Sequence, residues 1–209
     1  HGFAEKKLYY LPNVVDTNYF KPLIEDTNRD TINILSVGRL EKQKRNDRII
    51  EILSELKKRG IKYKAKIVGA GELENELKKQ ANNLGLLPNL LEFIEFTSDV
   101  LKFYQWADVF LHTSDFEGTP NVVMEAMACG LPIVTTNVGD TQELVDDGIT
   151  GFLFELDNTA GMVNALKRIA NDQHIRKTMG QSARESISKN RSLFTQYDNL
   201  SSLYRSLIY

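Results

Sequence analysis

Two glutamates with seven residues between them, Glu117 and Glu125, bracket the predicted start of a helix. Thr119 has a side chain of the type that caps helices, and Pro120 suits the first helical turn. The first backbone N–H groups of that helix would point outward and, together with the helix dipole, bind phosphate. A carboxylate accepts hydrogen bonds, including two from the vicinal hydroxyls of a ribose or sugar. The segment therefore predicts a site for a phosphorylated sugar.

Each glutamate also has a structural interpretation. Glu117 would then be a loop carboxylate near the favourable end of a helix dipole. Glu125 is followed by residues 126–129 in a stretch that predicts a helix buried on all sides. Since a buried, unpaired glutamate is costly, we expect Glu125 either to pair with a basic residue or to face a ligand.

Cations follow the first predicted strand, where Gly38 allows the backbone to turn tightly. Arg39 and Lys44 could both reach a diphosphate, Arg through its bidentate fork and Lys as a point charge. The alternative is a solvated basic loop, since charged loops usually face water.

Two further turns follow predicted strands. Residues 69–71 form a Gly-Ala-Gly turn that lacks the third glycine of a dinucleotide fingerprint, so an ordinary turn explains it as well. Residues 137–144 could close one wall of a cleft, and a simple turn followed by a helix cap is the alternative. Both turns follow strands, where ligands bind in doubly wound sheets.

The elements that must position these residues are short apolar runs alternating with amphipathic stretches. The predicted strands are residues 32–37, 65–68, 91–96, 108–112, 132–136 and 151–154. The predicted helices are residues 48–58, 72–84, 100–106, 121–128, 142–145 and 159–170. This alternation predicts an α/β fold, a Rossmann-like doubly wound parallel sheet with helices on both faces.

The chain has 209 residues, enough for a single domain. We divide it into a leading segment (1–30), a Rossmann-like core (31–172) and C-terminal helices (173–209). The last segment carries an apolar stripe that needs a partner surface, made of Leu193, Tyr197, Leu200, Leu203, Tyr204 and Leu207.

Composition excludes several classes of protein. The net charge of -2 shows no overall excess of positive charge of the kind that indicates nucleic-acid binding. The one cysteine, Cys129, rules out an internal disulfide framework. No apolar run approaches the roughly 20 residues that span a bilayer. We expect no metal site and a cytoplasmic location. The start at His1, without an initiator methionine, indicates a piece of a longer protein.

Taken in order, these segments resemble a known family, the retaining glycosyltransferases of family 4, also called glycosyl transferases group 1. The resemblance is to the C-terminal, donor-binding half of their two-domain GT-B fold and covers about residues 9–170. It rests on the Glu-x7-Glu pair and on these surrounding segments: residues 13–17 with Phe20 and Pro22, 37–40 with Lys44, 67–71, 107–111, Ser114, 125–128 and 130–134.

The resemblance implies roles for the matching residues. Arg39 and Lys44 would hold the donor diphosphate, Glu125 the ribose, and Glu117 the donor sugar near the reacting carbon. Glu117, Arg39 and Lys44 would be the catalytic residues of this half. The other donor-binding residues would be Gly38, Gly69, Phe96, Thr97, Gly118, Thr119, Pro120, Asn121 and Val122, with the base near Gly69, Phe96 and Thr97.

Three residues depart from the family pattern. Arg45 stands where glycine often follows the lysine, which we interpret as a surface change. Thr119 stands where an aromatic residue often follows Glu-Gly, and Asp140 replaces the second glycine of a Gly-Gly turn. The last two changes could alter the selectivity for the donor sugar.

The resemblance also implies an activity. A hexose would pass, with retention of configuration, from a UDP or GDP sugar to a glycan or lipid-linked acceptor, without a cofactor or metal. The expected pathway is cell-surface polysaccharide or lipopolysaccharide biosynthesis, with peripheral attachment to the inner face of the membrane possible for the full-length protein. With the N-terminal acceptor domain absent, this fragment is expected to be inactive. A nucleotide-sugar epimerase of the same architecture and a non-catalytic interaction domain are the alternatives.

Overall fold

Six parallel strands form one sheet in the order β3-β2-β1-β4-β5-β6. The computed structural model describes residues 9, 11–23 and 30–208, with side chains to residue 206. The strands are β1 (Ile32–Val37), β2 (Tyr63–Val68), β3 (Leu91–Ile94), β4 (Val109–His112), β5 (Ile133–Thr136) and β6 (Gly151–Phe154). The helices are α1 (Asn46–Lys58), α2 (Glu74–Asn83), α3 (Leu101–Trp106), α4 (Asn121–Ala128), α5 (Thr141–Leu144), α6 (Thr159–Asn171), α7 (Gln173–Asn190) and α8 (Leu193–Ile208).

The strand order reverses between β1 and β4, which pair in parallel with Ile34 beside Val109 and Leu35 beside Phe110. In doubly wound sheets such a reversal opens a crevice at the carboxyl ends of the two strands. The predicted Rossmann-like fold is therefore confirmed, and it brings the segments after β1 and β4 side by side.

The sheet is covered by helices on both faces because β1 is apolar on both. Ile34 packs on one side with α1, α2 and α6, while Leu35 packs on the other with α3, α4 and α7. The predicted apolar face of α1 is fully buried at Ile49, Ile52, Leu53 and Leu56. Burial of each such side chain contributes roughly 1.5–3 kcal/mol, so this layer holds the strands in place.

Two element boundaries differ from prediction in ways that affect the crevice. Helix α1 begins at Asn46 rather than residue 48, because Arg45 takes a left-handed conformation (φ 48°) and its carbonyl accepts the N–H of Arg48 at 3.0 Å. Strand β3 ends at Ile94, so Phe96 and Thr97 lie in the following loop.

The C-terminal helices return to the leading segment. Val15 donates its N–H to the carbonyl of Arg191 at 2.9 Å, and Gln196 donates to the carbonyl of Pro12 at 3.1 Å. In the predicted apolar stripe on α8, the exposed side chains are Leu193, Tyr197 and Tyr204, and the half-buried ones are Leu200 and Leu203. The side chain of Leu207 lies outside the described part of the structure. None of the described helices has the length and apolar character needed to cross a membrane.

Candidate functional site

Close backbone contact joins the turns after β1 and β2. Gly38 donates its N–H to Val68 at 3.0 Å, and Gly69 donates to Ile94 at 2.9 Å. A Cβ atom placed on Gly69 would overlap the carbonyl oxygen of Gly38, so a side chain is excluded there. Both predicted glycines thus lie at the sheet edge, and only main-chain groups line the contact between them.

The loop after β1 is tied to the loop after β4. Asp115 donates its N–H to the carbonyl of Gln43 at 2.9 Å, and Gln43 Nε2 donates to the carbonyl of Phe116 at 2.6 Å. The Thr113 hydroxyl donates to the carbonyl of Arg45 at 2.9 Å. These bonds fix the two loops as one unit and set Lys44 against the β4 side of the crevice.

At the centre of this unit lies a polar cluster, the Glu117 cluster, made of Lys44, His112, Ser114, Glu117 and Thr135. Lys44 Nζ lies 2.6 Å from Glu117 Oε1, and His112 Nε2 lies 3.0 Å from the same oxygen. The other ring nitrogen of His112 lies 3.1 Å from the Thr135 hydroxyl. Glu117 is only 8% exposed, so its charge is balanced by neighbouring side chains rather than by water.

Burial alone would raise the pKa of Glu117. Hydrogen bonds from His112, Lys44 and Ser114 to the carboxylate outweigh burial and hold the pKa at about 2. Glu117 is therefore an anion throughout the neutral range and acts only as a hydrogen-bond acceptor. Such a group can receive a sugar hydroxyl but cannot deliver a proton at neutral pH.

His112 was missed at the sequence level because it was assigned only as the last residue of a strand. A polar residue at the carboxyl end of a strand, five residues before a candidate carboxylate, is the signal that could have identified it. His112 is buried at the end of β4, beside Thr135 of β5, and its Nε2 atom contacts the Glu117 carboxylate.

Arg45, expected to be a surface change, is instead part of the framework. Its guanidinium pairs with Asp47 at 3.0 Å and with Asp115 at 2.9 Å, and these carboxylates raise the pKa of Arg45 further. Arg48 also reaches Asp115, at 3.0 Å. The left-handed backbone at Arg45 explains why a glycine would suit this position, since only glycine adopts it without strain.

Arg39 is not brought into the Glu117 cluster. Its side chain is 67% exposed and its guanidinium pairs with Glu41 at 2.9 Å. Arg39 therefore lies at the rim, where a long side chain can turn toward a ligand at the cost of a solvent-exposed ion pair that contributes at most about 1 kcal/mol.

Glu125 is half-buried in α4 and accepts a hydrogen bond from the Tyr104 hydroxyl at 2.7 Å. This partner was not among the two expected for Glu125, which were a basic side chain and a bound ligand. The structure shows instead the neutral hydroxyl of a tyrosine. Burial raises the pKa of Glu125 despite the bond from Tyr104, because no ion pair to Glu125 occurs among the described residues. Tyr104, on α3, was missed because its contact with α4 depends on how the two helices pack.

The predicted cap of α4 is wrong in detail. Pro120 itself precedes the helix in an extended conformation, and the Thr119 hydroxyl donates to the carboxylate of Asp140 instead of capping. The helix still begins at Asn121, so the N–H groups of Asn121 and Val122 lack intrahelical partners. A Cβ atom on Gly118 would meet nothing within 4 Å, so space is open above this loop.

Phe96 and Thr97 follow β3 at the same sheet edge. Phe96 is 78% exposed, and the Thr97 hydroxyl accepts the N–H of Asp99 at 3.2 Å. They are near the Gly69 turn, which is joined to the end of β3 through Ile94. Across the part of the chain that the structure describes, no three His, Cys, Asp or Glu residues are grouped as metal ligands.

The chain is similar in sequence to known glycosyltransferases. The chain is 28% identical over 210 residues to the capsular polysaccharide biosynthesis glycosyltransferase CapM of Staphylococcus aureus, covering 100% of this chain and 53% of CapM. It is 33% identical over 185 residues to N-acetylgalactosamine-N,N'-diacetylbacillosaminyl-diphospho-undecaprenol 4-alpha-N-acetylgalactosaminyltransferase of Campylobacter jejuni, covering 88% of this chain and 50% of that protein. The chain thus spans about half the length of these curated relatives.

The fold is also found in solved structures. The crystal structure of Anabaena Alr3699/HepE in complex with UDP superposes with a TM-score of 0.80 at 24% identity, covering 92% of this chain and 56% of that chain. The architecture is that of GT-B glycosyltransferases. The family model described as Glycosyl transferases group 1 matches residues 20–186, which is most of the sequence. The chain belongs to the glycosyl transferases group 1 family.

Proposed function

We propose that this chain is the donor-binding half of a retaining family 4 glycosyltransferase that transfers a hexose from a nucleoside-diphosphate sugar to a glycan or lipid-linked acceptor. The observation that carries the proposal is the meeting of Lys44 and Glu117 at 2.6 Å, beside the N-terminus of α4 and at the strand reversal. A cation, an anion and free N–H donors at this crevice suit a ligand that carries both phosphates and hydroxyls.

The diphosphate is assigned to Lys44, Arg39 and the start of α4. Lys44 is held in place by the loop contacts, whereas Arg39 is free to turn in from the rim. When the bond to the sugar breaks, negative charge develops on the leaving diphosphate, and these positive groups stabilise it. This arrangement supports a reaction that needs neither a metal ion nor a cofactor.

The sugar and the nucleoside are assigned to opposite sides of the diphosphate. Glu117 is held ionised by its neighbours. It accepts a hydrogen bond from a hydroxyl of the donor sugar near the reacting carbon, in the open space above Gly118. Glu125 accepts hydrogen bonds from the ribose hydroxyls, and its hydrogen bond with Tyr104 fixes the orientation of the carboxylate. The base lies near Gly69, Phe96 and Thr97, where main-chain groups line the edge of β2.

The relatives support the class of reaction and its pathway. CapM is described as a capsular polysaccharide biosynthesis glycosyltransferase, and the HepE structure contains UDP. We therefore place this chain in cell-surface polysaccharide or lipopolysaccharide biosynthesis in the cytoplasm, with a UDP sugar as the first candidate donor. The acceptor site and any membrane attachment are assigned to an N-terminal domain outside this chain.

Calorimetric titration of the chain with UDP, GDP and ADP tests the proposal. We expect one nucleotide to bind selectively and Lys44→Ala to weaken it by about 1.5–3 kcal/mol, the range for a charge-assisted hydrogen bond. Lys58→Ala is the matched control, because Lys58 is exposed and pairs with Glu55 at the far end of α1. Absence of binding to all three nucleotides, or an equal loss in both variants, would refute the proposal.

A further inference from the structure

Thr119 and Asp140 join two loops at the crevice. Thr119 follows β4, Asp140 follows β5, and the Thr119 hydroxyl donates to Asp140 Oδ2. The N–H of Asp140 donates to the carbonyl of Gly118 at 3.0 Å. A Cβ atom on Gly139 would overlap the backbone oxygens of Glu117 and Gly118, so the two loops are in direct main-chain contact. Asp140 is thus built into the wall beside Glu117.

The turn that carries Asp140 is held from within. Val138 donates its N–H to the Thr141 hydroxyl at 2.9 Å, and that hydroxyl lies 2.8 Å from the carbonyl of Val138. The Thr136 hydroxyl donates to the carbonyl of Ser114 at 2.6 Å, which ties β5 to the loop after β4. The position of the Asp140 carboxylate is therefore fixed before any ligand arrives.

The charge of Asp140 is not balanced like that of the neighbouring carboxylates. Glu117 pairs with Lys44, and Asp115 pairs with both Arg45 and Arg48. Within the described ranges, no lysine, arginine or histidine lies within 4.0 Å of the Asp140 carboxylate. Its neighbour is the neutral hydroxyl of Thr119, which leaves the negative charge and the remaining lone pairs available.

Asp140 is half-buried, and it contacts Gly118, the residue with open space on its Cβ side. A partly desolvated, uncompensated anion beside this space attracts hydroxyl groups as hydrogen-bond donors. The same anion repels a second carboxylate, because water screens like charges poorly when they are brought close together in a partly buried site.

We propose that Asp140, oriented by Thr119, selects an uncharged donor sugar over an anionic one. Asp140 accepts a hydrogen bond from a hydroxyl of a neutral hexose and excludes a sugar that carries a carboxylate. The inference rests on the proposed function, since it assumes that the crevice binds a nucleotide sugar, and it assigns a selectivity role to a residue outside the diphosphate and ribose sites.

Titration of the chain with UDP, UDP-glucose and UDP-glucuronic acid tests this inference. The two sugars differ at one carbon, where the hydroxymethyl group of glucose is a carboxylate in glucuronic acid, and UDP reports on the nucleotide site alone. We expect UDP-glucose to bind at least about tenfold more tightly than UDP-glucuronic acid, and Asp140→Asn to reduce that ratio about fivefold or more. Thr119→Val should also reduce the ratio, because the carboxylate loses the donor that orients it.

Asp146→Asn is the matched control, because it makes the same charge change in an exposed loop before β6, at the opposite end of the parallel strands. Its ratio should equal that of the wild-type chain. Two results would overturn the inference and leave the proposed function standing, both with normal UDP binding. In one, the wild-type chain binds UDP-glucose and UDP-glucuronic acid equally well. In the other, Asp140→Asn leaves the ratio of the two affinities unchanged. Absence of UDP binding by the wild-type chain would overturn the inference, and absence of binding to UDP, GDP and ADP alike would overturn the proposed function as well.

Discussion

Lys44 Nζ lies 2.6 Å from Glu117 Oε1, across the point where the strand order of the sheet reverses. The two residues are far apart in the sequence and belong to loops after β1 and β4. Both side chains are largely buried, so their charges depend on each other rather than on water. The pair is consequently a structural link between the two loops as well as a candidate ligand site.

Removal of one member of this pair should destabilise the chain. Lys44→Met leaves Glu117 without its ammonium partner, and we expect the free energy of unfolding to fall by about 1–3 kcal/mol. Urea denaturation of Lys44→Met, Glu117→Gln and the double variant measures the coupling. The double variant should lose less than the sum of the single losses, and strictly additive losses would show that the two groups are independent.

The pKa of Glu117 predicts a specific acid sensitivity. Because the folded pKa of about 2 lies below the ordinary value of 4.5, the folded state binds fewer protons than the unfolded state between these pH values. Glu117 stabilises the fold above pH 4.5, and we expect about 2–3 kcal/mol of this to be lost as the pH falls toward 2. Urea denaturation at several pH values should show that Glu117→Gln loses less free energy of unfolding than the wild-type chain as the pH falls. Equal losses in the two chains would contradict the prediction.

Glu125 should behave in the opposite way. Burial raises its pKa in the folded state, so its contribution to stability is complete at low pH and declines as the pH rises through the folded pKa. At pH 7 we therefore expect Glu125→Gln to retain the stability of the wild-type chain while weakening nucleotide binding about tenfold, as loss of a charged acceptor implies. Calorimetry and thermal unfolding of the same sample separate the two effects, and an unfolded variant would indicate a structural role.

Arg45 offers a test of backbone strain against ion pairing. Arg45→Gly and Arg45→Ala both remove the contacts with Asp47 and Asp115, but only alanine must keep a side chain in the left-handed conformation. We expect Arg45→Ala to be less stable than Arg45→Gly by about 1 kcal/mol, as measured by urea denaturation. Equal stabilities would mean that the backbone relaxes at this position.

The chain alone should not transfer sugar. The groups proposed here to act in the reaction are all assigned to the donor, and none is assigned to an acceptor. Radiolabelled UDP-sugar incubated with the purified chain and a matched lipid-linked acceptor should give no glycosylated product. Any turnover would show that the chain contains a complete active site.

The sequence predicted the alternation of strands and helices because buried strands and amphipathic helices have distinct apolar periods. Once a doubly wound sheet is assumed, the proximity of Lys44 and Glu117 follows from the adjacency of β1 and β4. Contacts that depend on helix packing were not predictable in this way. The Tyr104 bond to Glu125 requires the angle between α3 and α4, which no local pattern encodes.

Local preference was also overridden at Thr119. Its side chain is a good helix cap in isolation, but in the folded chain its hydroxyl reaches Asp140 on another loop. His112 was missed for a related reason. A strand assignment says which residues are buried, but not that a buried imidazole meets a carboxylate five residues later.

Any side chain on Gly69 would overlap the carbonyl oxygen of Gly38. This overlap limits which residues can occupy this edge of the crevice. Mutation there cannot add a new functional group, so whatever binds against it meets only main-chain atoms. Under the proposed placement of the base, preference for one base over another must therefore evolve through surrounding positions such as Phe96 and Thr97. Variation among related chains should accordingly concentrate in the loop after β3 and spare the glycine turn.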